Sequence, residues 1–203
     1  MKAKQSGFSM LELMFAIGLL AAIVTIGVPN LRDFVRNSRM SSAANDVITD
    51  FNLARSEAVK RRVPVTLCKS QTLTSCDVND AAGPFESWIV FVDDADPALV
   101  EANDGNGAVN TGEVILRQRE LADTLTVRKP ANQRRAIFLP TGFPRTGAAN
   151  VNRLLLCDER GNTVGVGGDS AARAIQILPT GRPSVFRTIA TVTTFEAIVG
   201  ACP

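Results

Sequence analysis

The chain has 203 residues, a formal charge of +2, and neither histidine nor tyrosine, which removes the commonest general base and the commonest metal ligand. Its four cysteines form no Cys-x-x-Cys pair, so the ligand spacing of a structural zinc site is missing. Charged residues at 21% and apolar residues at 45% are those of a folded protein, not a disordered one.

Residues 8–28 are apolar almost throughout and hold one charge, Glu12. Such a run is long enough to cross a bilayer as a single helix. Lys2 and Lys4 precede it with nothing acidic beside them, which favours a cytoplasmic N-terminus and an external remainder. Glu12 is the anomaly. A carboxylate deep in a membrane costs about 2.5–3.5 kcal/mol on insertion scales and marks a functional position by default. Cleavage after Gly7 would give Phe8 a free α-amine. Glu12, four residues further on, shares a helix face with it, so the amine can pair with its own Glu12 or with a neighbouring subunit's. A conventional signal peptide would need a small-residue cleavage site after the apolar run. Val28-Pro29-Asn30-Leu31-Arg32 does not supply a good one.

Pro29 removes a backbone donor, and the sequence places a kink or loosening there. The helix then resumes to about Arg62. Ala44, Val47, Ile48, Phe51, Ala54 and Ala58 follow the three-and-four spacing of an amphipathic helix, with Arg32, Arg36, Arg39, Asp46, Asp50, Arg55 and Lys60 on its other faces. Four segments result: 1–7, a leader; 8–29, a transmembrane helix; 30–62, its amphipathic continuation; and 63–203, a β-rich domain. The last carries 13 basic against 15 acidic side chains, so it lacks the bulk positive charge of a nucleic-acid-binding domain.

Within 63–203 the pattern predicts strands at 63–68, 87–92, 113–117, 124–128, 136–139, 153–157 and 174–178, from β-branched and aromatic content and from alternation. It predicts no second helix. Leu139-Pro140-Thr141-Gly142 is echoed by Leu178-Pro179-Thr180-Gly181. Each copy ends an apolar strand with good turn chemistry, and both are read as turning at the same rim of one sheet system. The cysteines, Cys68, Cys76, Cys157 and Cys202, all lie on the predicted outer side, where an even count reads as disulfides. Three pairings are open. Cys68–Cys76 and Cys157–Cys202 are favoured, the first closing a small loop and the second stapling the C-terminus to a strand.

Lys4-Gln5-Ser6-Gly7-Phe8-Ser9-Met10-Leu11-Glu12-Leu13, followed by an apolar helix, resembles the N-terminus of a type IV prepilin or type II secretion pseudopilin. The resemblance implies that prepilin peptidase cuts between Gly7 and Phe8 and methylates Phe8, and that Glu12 pairs with a neighbour's N-terminus during assembly. Further along, Ala54-Arg55-Ser56-Glu57-Ala58, Val65-Thr66-Leu67-Cys68, Trp88-Ile89-Val90-Phe91-Val92-Asp93 and the late Pro179-Thr180-Gly181-Arg182 are similar to the GspH/FimT family of minor pilins and pseudopilins. That similarity implies an α+β, type IV pilin-like fold: a long N-terminal helix packed on antiparallel sheet. It also implies a structural, non-enzymatic subunit of a type IV pilus filament, set in the bacterial inner membrane with its C-terminal domain in the periplasm. Its partners would be other minor and major pilins or pseudopilins. A type II secretion pseudopilin is the alternative.

Some FimT-like members bind DNA through Gly-Arg-x-Arg near the C-terminus. The aligned stretch here, Gly181-Arg182-Pro183-Ser184, lacks the second arginine. Arg187 and Arg145 are the cations nearby, in sequence or by the echo, so Arg182, Arg187 and Arg145 are the candidate contacts of a DNA-uptake receptor, the second alternative. The acidic loop from Asp93 to Gly107 offers clustered oxygens for Ca²⁺, but the twelfth position from Asp104 is Ile115, which breaks EF-hand spacing; a solvated loop is the expected state. No cofactor motif is present: Gly165-Val166-Gly167-Gly168 has no P-loop lysine after it.

Overall fold

The computed structural model describes residues 9–77, 85–94, 105–147, 150–165 and 167–202. The chain divides into two units, Met1–Arg39 and Met40–Pro203. One helix, α1 (Met10–Arg61), contributes to both. In the first unit its apolar side chains are exposed: Phe15 is 72% accessible, Leu19 66% and Ile26 69%. Helical structure runs unbroken through Pro29. The few polar side chains there bond to the preceding turn, the Thr25 hydroxyl to the Ala21 and Ala22 carbonyls at 2.9 Å and Asn30 Nδ2 to the Ile26 carbonyl at 2.9 Å. Such back-bonding satisfies the side chain without water.

From Met40 onward the same helix is the central element of a core. Met40, Ala43, Ala44, Val47, Phe51, Ala54 and Ala58 are buried on one stripe, as their spacing requires. Among the described residues eight strands follow: β1 (Val65–Lys69), β2 (Ser87–Val92), β3 (Ile115–Glu120), β4 (Thr126–Arg128), β5 (Arg135–Phe138), β6 (Arg153–Cys157), β7 (Arg173–Ile177) and β8 (Pro183–Phe186). They form two four-stranded antiparallel sheets, ordered β3-β2-β1-β5 and β4-β6-β7-β8. A register shift at Val90/Phe91 bends the edge pairing of β2 with β3.

Alternation along each strand separates the two faces. Val65 and Leu67 of β1, Trp88 and Val90 of β2, Leu154 and Leu156 of β6 and Ile175 and Ile177 of β7 join the buried stripe of α1 in one core. On the opposite face of the first sheet, Cys68, Ile89 and Phe91 are covered by Leu73, Cys76, Val109 and Ile115. On the opposite face of the second, Leu155, Cys157 and Ala174 meet a second helix, α2 (Ile189–Val199). With both faces covered, the central strands read as nearly continuous apolar runs.

Two elements depart from the sequence expectation. Helix α2 was not expected, because Ile189-Ala190-Thr191-Val192-Thr193-Thr194 is rich in β-branched residues that favour strands. Tertiary burial decides the matter: Val192, Phe195 and Val199 fall on one face and are buried, each contributing about 1.5–3 kcal/mol. Strand β8 was hidden by Pro183, which is tolerated because it opens an outer strand. The two Pro-Thr-Gly turns also end different sheets, β5 in one and β7 in the other, and not one sheet.

Candidate functional site

Glu12 lies in the first turn of α1 and is exposed. A helix N-terminus carries partial positive charge, which suits a carboxylate there. The backbone is fastened by Leu13 N–H to the Ser9 carbonyl at 3.1 Å and by Leu11 N–H to Ser9 Oγ at 3.4 Å. Around Glu12 the surface is apolar, with Met10, Leu11, Leu13, Met14 and Phe15 all more than half exposed. A window of this helix has a mean hydropathy of 2.3 and is 0% buried within the chain. A helix apolar all round and buried by nothing of its own belongs in lipid or against other helices. Gly7 and Phe8 lie outside the described residues.

The rim of the globular unit is built by the echoed turns. In each, a three-residue turn closes with a glycine at positive φ, 79° at Gly142 and 80° at Gly181. The hydrogen bonds match as well. Gly142 N–H reaches the Leu139 carbonyl and Gly181 N–H the Leu178 carbonyl, both at 2.8 Å; Leu139 N–H reaches the Phe143 carbonyl at 2.9 Å and Leu178 N–H the Arg182 carbonyl at 3.0 Å. This is the hairpin in which a type I turn is followed by a left-handed residue. The two turns touch. A Cβ at Gly181 would lie 2.6 Å from the Gly142 carbonyl oxygen, and Arg55 Nε of α1 donates to that same oxygen at 3.1 Å.

The candidate DNA contacts are placed differently from one another. Arg182 is exposed at the tip of its turn. Arg187 is 54% exposed and 3.9 Å from the Asp169 carboxylate. Arg145 is half-buried, and its Nη1 donates to the Gly105 carbonyl at 2.5 Å. Arg135 donates to the Gly107 carbonyl at 3.3 Å, and burial pulls its guanidinium below the usual arginine range. These arginines organise a loop from within.

That loop is the described part of the acidic segment; residues 95–104 lie outside the described set. Asp93 is fully buried. One of its oxygens accepts from the Thr66 hydroxyl at 2.5 Å and from Gly107 N–H at 2.8 Å, while the other has no hydrogen-bond partner among the described residues. Burial pushes its carboxyl up to about 6, against the lowering effect of the Thr66 and Gly107 bonds. Among the described residues no group of three metal-ligating side chains gathers.

The sequence sets Asp50 on a face of the helix other than its apolar stripe, yet the structure buries it. Asp50 is 0% exposed. It accepts from Trp88 Nε1 at 2.9 Å and from Arg119 Nε at 3.0 Å, and Arg119 also reaches Asp46 at 3.1 Å. The bond to Asp50 raises the Arg119 guanidinium further. Asp50 thus fastens α1 to β2 and β3 through charge-assisted bonds. The signal available in the sequence was its position one residue before Phe51, at the edge of the apolar stripe.

Each disulfide ties an outer layer to its sheet. Cys68 and Cys76 are bonded with Cα atoms 5.7 Å apart, and Cys157 and Cys202 with Cα atoms 5.6 Å apart. Within α2, Glu196 accepts from Cys202 N–H beyond the helix end at 3.1 Å and from Asn162 Nδ2 at 2.8 Å.

Among solved structures the chain is similar to the type IV minor pilin FimU of Pseudomonas aeruginosa (strain PAO1) in two crystal forms. One has 18% identity and a TM-score of 0.47, covering 75% of this chain and 92% of that one. The other has 16% identity and a TM-score of 0.43, covering 72% and 91%. No curated protein matches the chain significantly. A family model described as type II transport protein GspH matches residues 43–181, from the first buried turns of α1 to the second Pro-Thr-Gly turn, which is more than half of the chain. On that match, the chain belongs to the GspH family of minor pilins and pseudopilins.

Proposed function

We propose that this protein is a structural subunit that helps initiate or cap a type IV pilus filament, and that it has no catalytic role. The observation that carries the reading is the fully exposed apolar half of α1, with Glu12 as its lone charge, joined to a disulfide-bearing β domain. Segment 1–7 is a leader removed by prepilin peptidase. Phe8 becomes the methylated N-terminus, and residues 8–29 anchor the subunit in the bacterial inner membrane and later enter the filament core. Residues 30–62 continue the helix, and residues 63–203 form the periplasmic domain. Packing is with other pilins or pseudopilins, heterologous and open as a helical filament requires. The family's own description as a type II transport protein favours a second reading, a pseudopilin of the type II secretion machine built from the same parts. DNA uptake is disfavoured, because Arg145 and Arg187 already face a carbonyl and a carboxylate.

Mass spectrometry of protein from membranes with active prepilin peptidase tests this. The expected N-terminus is methylated Phe8. An intact Met1 terminus, or cleavage after Pro29, overturns it.

A further inference from the structure

Three arginines follow the apolar span within eight residues: Arg32, Arg36 and Arg39. At 3.6 residues per turn they fall within about 60° of the helix circumference. Arg32 and Arg39 are exposed. The Arg36 side chain is 40% exposed, with Nη1 3.5 Å from the Asp33 carboxylate. Beside this basic stripe runs an apolar one, Leu31, Phe34 and Val35, exposed by 62%, 69% and 38%. The apolar surface therefore continues nearly two turns past Val28 on one side of the helix, and the arginines border it.

Length and direction give the stripe its setting. From Met10 to Val35 the helix spans about 38 Å, against a hydrocarbon thickness of about 30 Å. Tilting absorbs such a surplus and brings the flank of the helix near the headgroups. Helical side chains lean toward the N-terminus, so these guanidiniums lean back toward the apolar span. Basic residues are normally concentrated on the cytoplasmic side of a span. Three of them beside its external end run against that bias, and a partner for them on that side is the simplest return.

We propose that Arg32, Arg36 and Arg39 form a docking stripe for the phosphates of anionic lipids in the leaflet at the C-terminal end of the span, setting the depth at which the helix rests before assembly. This rests on the membrane-anchored reading above. Guanidinium and phosphate match in charge and in paired hydrogen-bond geometry. Each basic residue near an anionic surface strengthens the attraction roughly five-fold, and Asp33 offsets part of it. With Asp33 cancelling one of the three charges, a net preference of about 25-fold for anionic over zwitterionic lipid is expected at low salt.

The test uses the full chain in vesicles of equal phosphatidylglycerol and phosphatidylcholine, with spin-labelled lipids reporting which headgroup neighbours the protein. The wild type should select phosphatidylglycerol about 25-fold at low salt. The triple variant R32Q/R36Q/R39Q should lose most of that selectivity, only the share of Lys2 and Lys4 at the other end of the span remaining, and R32K/R36K/R39K should keep most of it. Folding of each variant is checked by its intact disulfides, since the packed unit begins at Met40. No selectivity in the wild type, or most of its selectivity retained by the glutamine variant, overturns the proposal. Unchanged lipid selectivity with lost cross-linking to partner pilins assigns the stripe to a protein interface and also overturns it. Extraction of the wild type by alkaline carbonate is a separate result: it overturns membrane anchoring itself, and the lipid stripe with it.

Discussion

The two units use one helix in opposite ways. Before Pro29, α1 is apolar almost all round, and its large side chains stand exposed. After Met40 it has one apolar stripe, and that stripe is sealed by both sheets. Intrinsic propensity does not separate the halves, since both are helix. The placement of polar residues does. The first unit has nothing to gain from folding alone, so its stability must come from what surrounds it; the second supplies its own surroundings.

The sharpest way to break this comparison is to make the same change in both halves. Phe51→Ala empties a fully buried site that includes an edge contact with Phe138 at 6.3 Å between ring centres. It should cost about 3–5 kcal/mol. Phe15→Ala, at a 72% exposed position, should leave unfolding of the globular unit within about 0.5 kcal/mol of wild type. Urea titration of the full chain in detergent reads both. A loss of similar size from Phe15→Ala would show that the first unit is packed after all.

Within the second unit, the covalent ties should rank by the loop they close. Cys157–Cys202 spans 45 residues and Cys68–Cys76 spans 8. On chain entropy, their paired serine variants should lose about 4 and about 2.5 kcal/mol. Thermal unfolding of the two variants side by side checks the order; equal losses would mean that packing of the covered layer, and not loop closure, sets the cost.

Asp93 sharpens the comparison through pH. Its carboxyl is raised from 3.8 to about 6 in the folded state, so the folded protein binds the proton more tightly than the unfolded chain. Its contribution to stability should therefore rise as pH falls from about 6 toward 4, by up to about 1.4 kcal/mol per pH unit, and the penalty should stand fully above pH 6. Neighbouring Glu113 raises this carboxyl and Arg135 lowers it. Asp93→Asn should flatten that part of the profile in denaturation series across the window; an unchanged profile would mean another group sets the slope.

The smallest effect on stability belongs to Glu12→Ala. It should leave the globular unit unchanged and still insert, since it removes a charge from the span, while cross-linking to partner pilins is lost. Retained cross-linking would mean that Glu12 merely reaches the membrane surface.

Much of this was legible in residues alone, because burial on both faces leaves long apolar runs that announce β2 and β6 at their observed bounds. The helix was legible from periodicity. What escaped were elements decided by their partners. Helix α2 has strand-like residues and is helical because Val192, Phe195 and Val199 meet the second sheet. Asp50 is an ordinary surface residue by type, and only Trp88 and Arg119, distant in sequence, make it interior. Arg145 looked free for a ligand because its acceptor, Gly105, lies far away along the chain.

The meeting of the two Pro-Thr-Gly turns at Arg55 bears on how such a protein can diversify. Gly181 cannot gain a side chain without striking the opposite turn, so any drift there demands compensation from another hairpin. The next residues, Phe143 and Arg182, stand exposed on the outside of the same turns. The rim therefore couples an inherited frame to two freely rewritable letters, and a lineage can change what its tip displays without renegotiating how the tip is held.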